Sequence, residues 1–328
     1  MDTDQTGTKH RLKRKDLVKY IFIIFSSEYE RSDVETIWDI EIPIEKLRIH
    51  LKEKHGVDYT SNSYIYNQLK HYEEEIGLTL FRFEKSEESE QNILVSIHDK
   101  MSAFYQHHHL YATHKIKIAN GVYGMIQNFI SETGITRPVN ILLGSGTIPY
   151  HLAIILRDKS SEKNRYSFYT HNLGIIEELH GPDANPKHYD LYIPAGKVNY
   201  WINAIIGTDN NLYKSIDFDF IVQSTKYIYN GELYVDDQEQ NERKRVILKE
   251  CRGVKILTLI KDELVDQPLK DLSPFGALTD YDYVVVPRMS SNVKKRRKYD
   301  QMFDQYQDLF SSEIVSWNFI IYRVVAKT

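Results

Sequence analysis

The sequence predicts an α/β protein, with an N-terminal winged helix-turn-helix followed by a Rossmann-like, mainly parallel α/β domain. Three observations carry this expectation. The 328 residues suggest about two domains. Up to residue 102, three helical stretches are followed by a hairpin pattern, the order of a winged helix. From about Ile135 onward, short apolar runs rich in β-formers alternate with helical runs, as in a parallel α/β sheet. The expected boundaries are 1–102 for the winged unit with a basic arm over 1–15, 103–134 for a connecting helix, and 135–328 for the α/β domain.

Each element has a local reason. Leu17, Val18, Ile21 and Ile24 recur at helical spacing and give the first helix one buried face. IPIEKLRIHLKEKHG has Pro43 at an early helical position and glycine after a basic end, so a second helix starts near that proline. Ser61 or Asn62 can cap a third helix, with Ile65, Leu69 and Tyr72 inward. LTLFRFEKSEESEQNILVSI reads as two strands joined by a polar loop. The stretch from about Tyr105 to Ile130 reads as the connecting helix. It carries His107, His108, His109 and His114, but adjacent helical residues point apart, so three neighbours cannot share one ion. A solvated or interface stretch is the expectation there. VNILLGS, YSFYTHN, YDLYIPAG, FDFIVQS, VKILTLI and YDYVVVPR are strand candidates, and TIPYHLAIILRDK and ERKRVILKEC are helix candidates. Lys294 to Lys298 form a basic run, expected as a solvated loop ahead of a helix, and WNFIIYRVVAKT as a return to the sheet or an interface.

Composition narrows the function classes. With 41% hydrophobic and 27% charged residues, the chain can bury a core without a disulfide or metal staple. Lysine and arginine number 42 against 46 acids, a net charge of −4. That excludes a uniformly basic nucleic-acid coat and leaves only local patches. The single cysteine, Cys251, excludes an internal disulfide framework and a multi-cysteine metal site. It fits a reducing compartment. Tyr20 to Phe25 is far too short to span a bilayer and is followed by no small-residue cleavage pattern. The expectation is a cytoplasmic protein with no membrane partner and no cofactor.

Several predicted strand ends carry chemistry. Gly144, Ser145, Gly146 and Thr147 lie between a strand and a helix, where glycines admit an anion and free amides can donate to it. A tight turn without a ligand fits the same pattern. Thr170 and Asn172 end the next strand, and Gly196 and Lys197 the one after. Asp237, Glu242 and Lys244 fall near a helix start. They either bind the hydroxyls and phosphate of a sugar or, for the acids, simply favour the helix dipole.

The order of these motifs resembles the effector-binding domain of DeoR-type transcriptional regulators, the deoxyribose-operon repressor family. The landmarks run from about Lys115 to Pro287: KIKIANGVYGMIQNFI, ILLGSGTIPYHLAIIL, YTHNLGIIEEL, YIPAGKVNYWINAIIG, IDFDFIVQSTKYI, DQEQNERKRVI and PFGALTDYDYVVVP. The resemblance implies a fold like that of ribose-5-phosphate isomerase and the CoA-transferases, used for sensing rather than turnover. It also implies a small phosphorylated sugar or nucleotide-like effector. Carried over by position, Gly144 to Thr147 would form the phosphate turn, and Thr170 and Asn172 the second binding loop. Gly196 would belong to the third, and Asp237, Glu242 and Lys244 to the late loop. Ser224 stands, in Val222-Gln223-Ser224-Thr225, where the family has a glycine-containing turn.

SNSYIYNQLKHYEEEIG can be laid over the family's recognition helix. Tyr66, Asn67 and Gln68 replace its usual arginine pair and aspartate. The candidate DNA contacts are Arg11, Lys13, Arg14 and Lys15 on the arm, and Ser61, Asn62, Ser63, Tyr64, Tyr66, Asn67 and Lys70 on the helix. The leading expectation is therefore a non-catalytic, DNA-binding regulator controlled by a phosphorylated metabolite and working as a homodimer or homotetramer. One alternative is a sensor or interaction module of a defence or signalling assembly, its winged helix binding protein. A sugar-phosphate isomerase-like enzyme is the other.

Overall fold

The computed structural model describes residues 12–34, 36–86, 89–98, 109–181, 186–207, 211–260, 263–269, 271–288 and 293–325. They gather into two compact units that divide after Ala112.

The first unit contains α1 (Arg14–Arg31), β1 (Glu41–Pro43), α2 (Ile44–His55), α3 (Asn62–Ile76), β2 (Phe81–Ser86) and β3 (Ser89–Ile97). Pro43 stands at the start of α2, and Gly56, at φ +67°, ends it in the left-handed region that glycine enters without strain. The Ser61 hydroxyl caps α3 by accepting from the Tyr64 amide at 3.2 Å. Leu17, Val18, Ile21 and Ile24 are buried, as their spacing requires. Phe22 and Phe25 join them and pack with Leu47, Leu51, Ile65, Leu69, Phe81 and Val95. The strands form one antiparallel sheet in the order β1-β3-β2. Its edge strand β1 was not evident from sequence, because three residues are too few for alternation to show. Buried Glu73 ties the sheet to α3, its carboxylate accepting from the amides of Leu80 and Phe81 at 2.7 and 2.8 Å.

His109 sits in a turn ahead of the next helix, stacked 5.7 Å from Phe22. Residues 109–111 form a turn, the described part of the expected connecting helix begins at Ala112, and His109 is buried in the core, not solvated. His107 and His108 lie outside the described residues.

The second unit runs α4 (Ala112–Thr133), β4 (Val139–Leu143), α5 (Thr147–Asp158), β5 (Tyr166–Thr170), α6 (Leu173–His180), β6 (Tyr189–Tyr192), β7 (Lys197–Asn199), β8 (Ala204–Ile206), α7 (Asn211–Lys214) and β9 (Asp217–Ser224). It continues β10 (Tyr227–Tyr229), β11 (Glu232–Tyr234), α8 (Gln238–Glu250), β12 (Arg252–Thr258), β13 (Gly276–Ala277), β14 (Tyr283–Pro287), α9 (Val293–Asp304), β15 (Phe310–Val315) and β16 (Phe319–Val324). An eight-stranded sheet has the order β15-β16-β14-β12-β9-β4-β5-β6. The six strands from β14 to β6 are parallel, and β16 and β15 add an antiparallel hairpin at one edge. The basic run from Lys294 to Lys298 falls inside α9, not in a loop. Its lysines and arginines are good helix formers and nothing in the run breaks the helix. Among the described residues, no helix is long and apolar enough to cross a membrane.

From β4 the chain builds β5 and β6 to one side, then returns to build β9, β12 and β14 on the other. The strand order therefore reverses between β4 and β9. In open sheets of this kind, the crevice outside the carboxyl ends of the strands at such a reversal is the usual ligand position. Registry brings those ends level: Leu143 lies opposite Thr170 and Val222, and Ser224 opposite Thr258.

Candidate functional site

The turn after β4 occupies this reversal. Gly144 donates its amide to the Val222 carbonyl at 2.9 Å, which ties the turn to β9. Gly146 sits at the mouth of α5 with φ +134°. A Cβ on it would fall on the Ser224 hydroxyl, so only glycine fits both the backbone and the space. The residue opening α5, Thr147, is half-buried.

Three elements brace the turn. From the end of β5, Thr170 donates to the Leu143 carbonyl at 2.7 Å. Asn172 caps α6 through Gly174 and donates to the Gly146 carbonyl at 2.9 Å. His171, wholly buried, accepts the Ser145 amide on Nε2 at 3.2 Å. That acceptor role leaves the ring proton on Nδ1, 3.2 Å from the Tyr213 hydroxyl. Burial, with Arg243 and Lys244 nearby, pushes the His171 pKa well below its ordinary value, so the ring is neutral.

From β9, Ser224 donates to the Ser145 carbonyl at 3.3 Å. From α8, Gln240 donates to the Ser145 hydroxyl at 2.8 Å, and Lys244 reaches the carbonyls of Ser224 and Ser145 at 2.8 and 3.3 Å. Lys244 is 1% exposed. Burial lowers its pKa to about 7, against a smaller opposite pull from Glu263. Burial thus favours the neutral amine, and an anion bound nearby would favour the ammonium.

The structure therefore gathers Gly144, Ser145, Gly146, Thr147, Thr170, Asn172, Ser224 and Lys244 in one place. Asp237 stands one turn away as the cap of α8, accepting the Gln240 amide at 2.7 Å. That is the dipole role. Glu242 is not brought in: it is exposed and pairs with Arg245 at 3.1 Å. Gly196 and Lys197 begin the separate β7–β8 ribbon, where Lys197 is exposed and a Cβ at Gly196 would strike the Ile206 carbonyl.

Sequence reasoning passed over Gln240, Gln223 and Arg243. Gln240 lies four residues before Lys244, on the same helical face, a spacing that pointed to it. Gln223 is fully buried. Its Oε1 accepts from Tyr281 at 2.7 Å, while its Nε2 has no acceptor. Nothing in its run of β-formers announces that. Among the described residues, no group of three or more His, Cys, Asp or Glu could hold a metal ion.

On the first unit, Ser63 and Asn67 are exposed one turn apart on α3. The other candidates there are committed. Asn62 accepts from Arg48 at 3.1 Å, Tyr64 stacks on Tyr59, Tyr66 packs edge-on against Phe83, and Ser61 is the cap. Lys70 pairs with Glu73 at 2.9 Å over the Phe83 ring, and Arg14 pairs with Glu75. Lys13 and Lys15 are exposed, and Arg11 lies outside the described residues.

No protein-family model matches the chain, and no curated protein matches it. Solved structures do. Ribose 5-phosphate isomerase A from Methanocaldococcus jannaschii is 10% identical over 64% of this chain and 79% of its own, with a TM-score of 0.30. The isomerase from Plasmodium falciparum is 9% identical over 65% and 80%, with a TM-score of 0.30. eIF2B beta from Chaetomium thermophilum is 10% identical over 89% and 73%, with a TM-score of 0.33. The expectation that the chain is non-catalytic is corrected here, since structures similar to it include enzymes. The chain is a mixed α/β protein with a large, mostly parallel sheet, similar to ribose-5-phosphate isomerases and to an eIF2B subunit.

Proposed function

We propose that the chain is a transcriptional regulator of DeoR type, whose DNA affinity is set by a small phosphorylated sugar or nucleotide-like metabolite. In this reading residues 1–102 form a winged helix with a basic arm over 1–15, 103–134 connect, and 135–328 hold the effector. The observation that carries it is the glycine turn at the strand-order reversal, opening α5 and lying against buried Lys244. The phosphate accepts from the free amides at the start of α5, and Lys244 supplies the balancing charge.

The helix–strand–helix–helix–hairpin order of the first unit supports a winged helix in which α3 reads the major groove with Ser63 and Asn67. Lys13 and Lys15 serve as phosphate contacts. Two copies are needed to read a two-fold operator, so the working form is a homodimer or homotetramer. The metabolite acts by binding one arrangement of the assembly more tightly than another.

The test is an electrophoretic shift with DNA from upstream of the chain's own coding region, at fixed salt, with and without ribose 5-phosphate and nucleoside monophosphates. A sequence-preferring shift altered by a metabolite is the expected result. The absence of any sequence-preferring shift, with every metabolite tried, would remove the regulator reading.

A further inference from the structure

The β7–β8 ribbon stands beside the glycine turn. Ile205 donates to the His171 carbonyl at 2.7 Å, and Leu173 donates to the Asn203 carbonyl at 2.9 Å. The ribbon is thus bonded to the same loop whose Asn172 holds Gly146. Its other strand reaches the helix that carries Lys244, because Asn199 Nδ2 donates to the Asp237 carboxylate at 3.4 Å. The opposite atom of that amide, Oδ1, accepts from the Trp201 backbone at 3.0 Å and so folds the tip.

This anchored tip presents Tyr200 and Trp201, 82% and 69% exposed. Solvent-exposed aromatics on a hydrogen-bonded turn present their rings at little conformational cost. At the foot of the tip, Asn203 takes a left-handed backbone, φ +51°. Its side-chain amide nitrogen is buried with no acceptor. Buried polar groups are nearly always paired, so this donor is open to an oxygen of a ligand.

We propose that the ligand of the glycine turn is a nucleoside phosphate whose base stacks on Tyr200 and Trp201, while an oxygen of the nucleoside accepts from Asn203. This rests on the phosphate reading of the turn given above and narrows the ligand class from sugar phosphates to nucleotides. Stacking on an aromatic face tolerates any base, so the platform favours nucleotides as a class over the bare ribose phosphate.

Calorimetry on the full chain tests it, with AMP, GMP, CMP, UMP and ribose 5-phosphate as probes. At least one nucleotide is expected to bind roughly tenfold more tightly than ribose 5-phosphate. A Tyr200→Ala/Trp201→Ala double variant should lose that advantage and keep its ribose 5-phosphate affinity. Both side chains are exposed, so its unfolding temperature should match the wild type. Asn203→Asp provides a second variant, expected to weaken the nucleotide alone. Equal affinity for nucleotides and ribose 5-phosphate would overturn the inference and leave the phosphate reading standing. Binding of none of the probes would overturn both. Nucleotide affinity untouched by the double variant, or wild-type self-association abolished by it, would assign the aromatic tip to another purpose and also overturn the inference.

Discussion

Gly146 and Lys244 set the backbone strain and the charge of the glycine turn. Gly146→Ala adds a Cβ where the Ser224 hydroxyl lies, at a backbone angle that L-residues avoid. Strain of this kind costs about 1–3 kcal/mol. Urea unfolding should show that loss, and an added Ser224→Gly should recover only the steric share. An acidic residue at 146 would therefore report on the turn's strain before it reported on phosphate binding. Burial lowers the Lys244 pKa to about 7 in the folded chain, from the ordinary lysine value of 10.5. The unfolded chain then holds more protons between those two values, so this residue makes stability rise as pH increases through that window. Its penalty is full below the folded pKa and gone above the unfolded one. The unfolding midpoint of wild type should climb from pH 7 toward pH 10 relative to Lys244→Met, and parallel curves would show that the amine is not depressed. The glycines and Lys244 were legible because turn chemistry and a positional resemblance marked them. Glu242 was misplaced because a count along the chain ignored that two residues along a helix turns a side chain to the far side.

At the scale of elements, α3 presents two different faces. Its inner face carries Glu73, whose carboxylate is the acceptor for two backbone amides at the start of β2. Glu73→Ala strands those amides and should cost at least about 2 kcal/mol, against about 1 kcal/mol for removing the cap with Ser61→Ala. Chemical denaturation of both variants would rank them. Its outer face offers Ser63 and Asn67, while Lys70 and Arg14 are paired with acids. The long elements were readable from their periodicity, as with α1 or the apolar runs of β4, β9, β12 and β14. The strands β1, β7, β8 and β13 were not, because elements of two or three residues are set by the strand they pair with rather than by their own pattern. The helical course of the basic run in α9 was hidden by its charge, which reads equally as a solvated loop.

For the molecule as a whole, a net charge of −4 means that, under the proposed regulator reading, DNA contact would depend on few cations. With Lys13 and Lys15 as phosphate contacts, replacing both by alanine should reduce the slope of log affinity against log salt by about 2 and weaken all sequences alike. Asn67→Ala should instead change which sequence is preferred. Fluorescence anisotropy over a salt series separates the two outcomes, and an unchanged slope would show that the arm does not touch phosphate. The alternation of strand and helix made the α/β half legible from the sequence. The reversal of strand order did not show, since it is a property of pairing between distant segments such as Leu143 and Val222. The same sheet also sets a timetable. β4, β9 and β12 lie in its middle, whereas β15 lies outermost, with Ser311 to Val315 open to solvent. Backbone hydrogens of β15 should exchange with heavy water early, through small local openings, and those of β9 only when the whole unit unfolds. The sheet thus carries in its strand order the sequence in which its parts come undone.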